Sequence, residues 1–199
     1  AYNRLEGGIK LSVGPEGELT VKFRDLKILS TLVEYQTLAP FVSVCHFTGV
    51  LPSDDAFKTV LKTTPTLFGL DFSDSRAAPD PLEAIPATLK WLNLSRAEWL
   101  LDASLLALLE RCPKVETVIL EKQGSLGLSS WVALSRLPEL KELDLTDVTQ
   151  LKDSDLLLLS THPRKLEKLS LAGAKSLSPT ALKEMITAAG ELTHLNLAR

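Results

Sequence analysis

Residues 140–186 read LKELDLTDVTQLKDSDLLLLSTHPRKLEKLSLAGAKSLSPTALKEMI. Six residues of this stretch, LKELDL from Leu140, return 26 residues later as LEKLSL from Leu166, each with apolar side chains at the first, fourth and sixth places. Working outward, the same frame stands at Val42 (VSVCHF), Leu67 (LFGLDF), Leu89 (LKWLNL), Val115 (VETVIL) and Leu192 (LTHLNL). The starts of these seven copies lie 25, 22, 26, 25, 26 and 26 residues apart. Alternate side chains of a short strand point to opposite faces, so the fourth and sixth places face inward while the third and fifth face out. The first place closes the turn into the strand. One such unit cannot bury its own aliphatic residues, but stacked units cover one another and pair their strands into a parallel sheet.

Between the frames the apolar spacing changes from strand-like to helical, as in Leu105, Leu106, Leu108 and Leu109, in Leu156, Leu157 and Leu159, and in Leu182, Met185 and Ile186. These are the expected outer helices. Ser53 before Asp54, Asp153 before the Leu156 run, and Ser178 followed by Pro179 are the expected helix starts. Pro113, Pro138 and Pro163 stand just before the next strand, where a residue lacking an N–H stops a helix at little cost. The interval between the second and third frames is short and carries Pro79, Pro81 and Pro86, so irregular backbone is expected there.

The fold class that follows is α/β: a solenoid with a parallel concave sheet and outer helices in about seven repeats. Two stretches carry a family resemblance. RCPKVETVIL from Arg111 and the long run from Leu140 resemble cysteine-containing leucine-rich repeats, whose period is near 26 and whose pattern opens Cys-Pro-x-Leu-x-x-Leu-x-Leu. Cys112-Pro113 matches that opening, and Lys152-Asp153 and Leu177-Ser178 stand where the subtype carries Thr-Asp. Its loop cysteines are replaced near Val148 and Ala174 by small apolar residues. The resemblance implies a leucine-rich-repeat horseshoe of the kind found in F-box substrate receptors of ubiquitin ligases, although no F-box is seen in this chain.

Before the first frame, GIKLSVGPEGELTVKFRDLKILSTLVEY reads as a strand, a turn at residues 14–17, a second strand and a helix over residues 25–37. That order is similar to the opening hairpin and helix of a BTB/POZ domain. The reading preferred here is a cap over residues 1–41 that shields the first core layer of an array over residues 42–199. The chain ends directly after its last frame without a closing cap, and begins without Met, so further sequence is expected on the whole protein.

At 45% hydrophobic and 24% charged residues the composition is that of a folding chain, and a net charge of −3 gives no electrostatic footprint for nucleic acid or anionic lipid. No stretch approaches the ~20 apolar residues needed to span a bilayer. Two cysteines make no disulfide framework, which favours a reducing compartment, the cytoplasm of the cell or of a host that receives the protein. Catalytic chemistry has no footing. Cys45 fills an inward leucine place and His46 beside it faces the other way, so the two cannot pair, and no metal-ligand spacing or phosphate-binding loop occurs. No catalytic residue, metal or cofactor is expected.

A protein partner is. The outward places are mostly polar, with Phe68, Trp91 and Ile119 as exceptions in consecutive repeats, expected to form one apolar strip. Charge and amide groups surround them, and the expected partner-binding set is Phe68, Asp71, Lys90, Trp91, Asn93, Glu116, Ile119, Glu142 and Asp144, with Trp91 as anchor. Lys90, Lys141 and Lys168 interleave with the carboxylates, which makes a solvated mixed-charge face. Trp99 and Trp131 fall in outer segments and belong to the core. The function expected is a non-catalytic recognition scaffold, as a ubiquitin-ligase substrate-receptor-like module or a bacterial effector; the alternative is a regulatory or substrate-selecting fragment of a larger enzyme or signalling protein.

Overall fold

The computed structural model describes residues 3–4, 9–15, 17–23, 35–48, 54–76, 84–161 and 165–198. Ser53, Pro79, Pro81, His162, Pro163 and most of the helix expected over residues 25–37 lie outside them; residues 35–38 are helical. One ten-stranded sheet follows chain order: β1 (Asn3–Arg4), β2 (Ile9–Val13), β3 (Leu19–Phe23), β4 (Val42–His46), β5 (Gly69–Asp71), β6 (Trp91–Asn93), β7 (Thr117–Ile119), β8 (Glu142–Asp144), β9 (Lys168–Ser170) and β10 (His194–Asn196). β1 to β3 run antiparallel, and every pairing from β3 onward is parallel. Among the described residues five helices besides the turn at 35–38 cover the other side: α1 (Asp54–Thr63), α2 (Asp102–Arg111), α3 (Leu128–Ser135), α4 (Asp153–Leu159) and α5 (Pro179–Ala188). The described residues between β5 and β6 form turns and no α-helix, as the prolines there require.

The register turns the sequence frame into rows. Cys45, Leu70, Leu92, Val118, Leu143 and Leu169 sit side by side on successive strands and are at most 2% exposed. The sixth places, Phe47, Phe72, Leu94, Leu120, Leu145 and Leu171, form a second sealed row. Burying each of these side chains contributes about 1.5–3 kcal/mol before chain entropy is set against it. The hairpin joins the same rows: Val21 pairs with Cys45, and the Phe23 ring stacks on Phe47 at 5.0 Å, which stacks on Phe72 at 5.4 Å. At the other end Leu195 is half-buried and Leu197 is 43% exposed. Trp131 is buried in the core, while Trp99 is partly buried, edge-on to Phe72, and donates Nε1–H to Ser75 Oγ at 2.8 Å.

Helix starts are tied across repeats. Asp102, in the first turn of α2, accepts from Gly127 N (2.9 Å), Ser129 N (3.2 Å), Ser130 N (2.7 Å) and Ser130 Oγ (2.6 Å), the start of α3. Burial pushes its pKa up, but these bonds more than offset that and hold it at about 2. Asp153 plays the same part for α5, accepting from Ser178 N at 2.8 Å. This corrects the expected cap: Lys152 is the N-cap of its own helix, and Asp153 lies one residue inside and serves the next. Ser178 does cap α5, its Oγ accepting from Ala181 N with Pro179 at the first helical position.

Strand exits repeat as well. Two residues past the sixth place, Asp74, Arg96, Lys122, Asp147 and Gly173 all have positive φ, between 52° and 77°. Four of the five are not glycine, in a region that disfavours side chains. Their side chains link instead: Arg96 bonds Asp74 (2.5 Å) and Glu121 (3.1 Å), and Lys122 bonds Glu121 (2.8 Å) and lies in ion-pair range of Asp147 (3.6 Å). Just beyond, buried Gln123 donates Nε2–H to the Leu94 carbonyl oxygen at 2.5 Å.

Candidate interaction surface on the concave sheet

Third-place and fifth-place side chains make the concave face, and the pairings give two rows. One runs Val44, Gly69, Trp91, Thr117, Glu142, Lys168, His194 and the other His46, Asp71, Asn93, Ile119, Asp144, Ser170, Asn196. Trp91 therefore lies beside Gly69, and beyond it Val44. A methyl group on Gly69 would stand 2.9 Å from Val44 Cγ2 and 3.2 Å from Trp91 Cε3, so the indole leans over a gap that only glycine leaves. His46 completes the group, its ring 6.0 Å from that of Trp91. Trp91 and Ile119 are each part-exposed.

Phe68 departs from the expected strip. It stands one residue before β5, where its backbone aligns with Ser43 and Lys90: its N–H bonds Ser43 O at 2.9 Å and its carbonyl accepts from Lys90 N at 2.7 Å. A shift of one residue along a pleated chain changes the row, and among the described residues no ring contact joins Phe68 to Trp91. Val44 and His46 take its place at that end of the apolar group.

The polar members of the expected set are largely occupied by their own neighbours. Asp71, Asn93 and Asp144 each turn Oδ1 back onto the backbone N–H two residues on, at Ser73 (2.8 Å), Ser95 (3.0 Å) and Thr146 (2.9 Å). That is the Asx turn that ends a strand. Asp71 is also buried and its Oδ2 accepts from His46 Nδ1 at 2.6 Å. Burial raises its pKa, but hydrogen bonds from His46 and Ser73 outweigh it, and the carboxyl lies below its ordinary value. Glu116 lies between Lys90 (2.8 Å) and Lys141 (2.7 Å), whose hydrogen bonds lower its pKa. Glu142 pairs with Lys168 at 3.5 Å. Trp91 and Ile119 are thus left as the apolar contact area inside a frame of satisfied polar groups.

The His46–Asp71 pair does not follow from assigning faces alone. Its signal lay in the period, since residues 25 apart at the same place of the frame are neighbours on adjacent strands. Cys45 does point inward, away from His46, fully buried beside the Tyr35 hydroxyl, and burial pushes its thiol up to about 12. Among the described residues no three His, Cys, Asp or Glu side chains are grouped to hold a metal, and no helix is long and apolar enough to cross a membrane.

No protein-family model matches the chain, and no curated protein matches it. Solved structures do. An internalin from Listeria monocytogenes superposes with a TM-score of 0.57 at 17% identity, over 83% of this chain and 44% of its own. The leucine-rich repeat-containing protein LegL7 from Legionella pneumophila gives 0.56 at 20% identity, over 83% and 59%. A chain of the mouse RP105/MD-1 complex gives 0.54 at 17%, over 89% and 33%. The architecture is that of a leucine-rich-repeat solenoid, and the chain spans between 33% and 59% of the length of these three neighbours.

Proposed function

We propose that this solenoid is a non-catalytic scaffold that recognises a protein partner on its concave sheet, with Trp91 as the central anchor and Val44, His46 and Ile119 around it. The observation that carries the reading is the pose of Trp91, a part-exposed indole laid over Gly69 inside a frame of charges that are already paired with one another. An aromatic group that is kept at a surface while its polar surroundings are satisfied supplies apolar contact area at little desolvation cost to a partner. Phe68, Asp71, Lys90, Asn93, Glu116, Glu142 and Asp144 then act mainly as rim and framework. Residues 1–41 serve as the cap and residues 42–199 as the array. The neighbour from the RP105/MD-1 complex is itself part of a protein–protein assembly. The finer reading, a substrate-receptor-like module of a ubiquitin ligase or an effector of that kind, is supported by the Cys112-Pro113 opening and the 26-residue period.

The test is recovery of binding proteins from lysate of the source cell by the immobilised chain and by its Trp91→Ala variant. A partner retained by the first and lost by the second is expected. Unchanged recovery on Trp91→Ala refutes the concave site.

A further inference from the structure

Charge is not spread evenly along the concave rows. In the middle the carboxylates are taken up by neighbours, Glu116 between Lys90 and Lys141 and Asp71 by the His46 ring. Toward one end Lys22 pairs in register with His46, so it continues the fifth-place row onto the hairpin, and it is exposed. Asp74, a carboxylate that feels the charge of Lys22, is already held by Arg96 through two hydrogen bonds of 2.5 and 2.8 Å. Lys10 stands opposite Lys22 across the antiparallel ladder. Toward the other end Asp144 spends Oδ1 on Thr146, and among the described residues no cation pairs with its carboxylate. Glu142 beside it is paired with Lys168 at 3.5 Å, which leaves Asp144 as the carboxylate open to a partner. The order along the axis is cation, apolar group, carboxylate. β3 and β8 are five strand steps apart, about 24 Å.

We infer that the concave sheet takes a linear protein segment laid across its strands, with an acidic side chain toward Lys22, an aliphatic or aromatic side chain on Trp91 and Ile119, and a basic side chain toward Asp144. This rests on Trp91 being the anchor. An extended chain covers ~24 Å in about seven residues, so the acid and the base of the segment stand roughly that far apart. Complementary charges at the two ends select the direction in which the segment lies and speed its capture, while the apolar centre holds it.

A display library of random dodecamers, selected on the 199-residue chain and counter-selected on Trp91→Ala, is the experiment. Expected is enrichment of peptides with an acidic and a basic residue flanking an apolar centre. A synthetic peptide of the enriched sequence is then titrated by calorimetry at low salt. Lys22→Glu weakens it roughly threefold to tenfold, and exchanging the peptide's acid for lysine restores the loss. Asp144→Asn, which keeps the acceptor for Thr146 and removes only the charge, weakens it by a similar factor. Binding that needs Trp91 but ignores both charge changes, or enriched peptides of one charge sign, overturns the charge order and leaves the anchor standing. No enrichment over the Trp91→Ala surface overturns both.

Discussion

Replacing Asp102 by alanine removes one carboxylate and strips the start of α3 of its acceptor, although Asp102 belongs to the repeat before it. Three backbone N–H groups and the Ser130 hydroxyl lose their partner, and Ser130 is fully buried, so its N–H cannot turn to water. Loss of a helix cap costs about 0.5–2 kcal/mol and stranding a buried donor about 1–3 kcal/mol. The same hydrogen bonds hold the carboxyl at about 2 in the folded chain against 3.8 in the unfolded one, which corresponds to at most roughly 2 kcal/mol and overlaps with those losses rather than adding to them. Asp102→Ala is therefore expected to lower the unfolding free energy by about 2–3 kcal/mol in urea titrations at pH 7. Because the folded value is depressed, the contribution is fully present above the unfolded value and fades as pH falls toward 2. Asp102→Asn, which keeps an acceptor and loses the charge, should lose about half as much, and its deficit against the wild type should close between about pH 4 and pH 2. A loss below about 0.5 kcal/mol for Asp102→Ala, or a deficit independent of pH, would show that α3 starts without this tie.

Three further outcomes follow from the same geometry. Leu143→Ala, on a rung sealed on both sides, should cost about 3–5 kcal/mol by urea unfolding, whereas Leu195→Ala, on the half-buried last rung, should cost less than half of that. Gly69→Val should displace the Trp91 indole, seen as red-shifted emission and stronger acrylamide quenching once the Trp91→Phe spectrum is subtracted, because the new side chain meets Val44 and Trp91 at once. The thiols of Cys45 and Cys112, buried and pushed up to about 12 and about 11, should stay unreactive to a thiol-disulfide reagent at pH 8 in the folded chain and both react in urea. Rapid labelling of either in the native state would contradict the packing.

Regularity made the fold legible and hid part of the site. Leu92, Val118, Leu143 and Leu169 could be placed in one row from the frame alone, because a period near 26 and a strand alternation of two leave little freedom. The hairpin was read as a cap from its turn, but its membership of the same rows was not, since VKF from Val21 offers only half a frame. Of the surface, Trp91 and Ile119 stand where the alternation put them. Asp71, Asn93 and Asp144 leave from the outward face, as the sequence implies, but each first answers its own backbone. Phe68 precedes its strand and so does not join Trp91 and Ile119 in the strip expected of the three. What a side chain bonds to two residues or one whole repeat away is tertiary information, and a frame counted along the chain reports only which face it leaves from.

The row of left-handed residues at the strand exits sets up a tension between backbone and solvent. Asp74, Arg96, Lys122 and Asp147 hold a conformation that side chains disfavour, and the ion pairs joining them lie at the surface, open to counterions. Added electrolyte weakens the clasp but leaves the torsional burden untouched, whereas the sealed rungs behind it feel no such loss. Ionic strength thus reaches into this molecule along one edge, loosening the loops that crown the sheet before it disturbs the layer beneath.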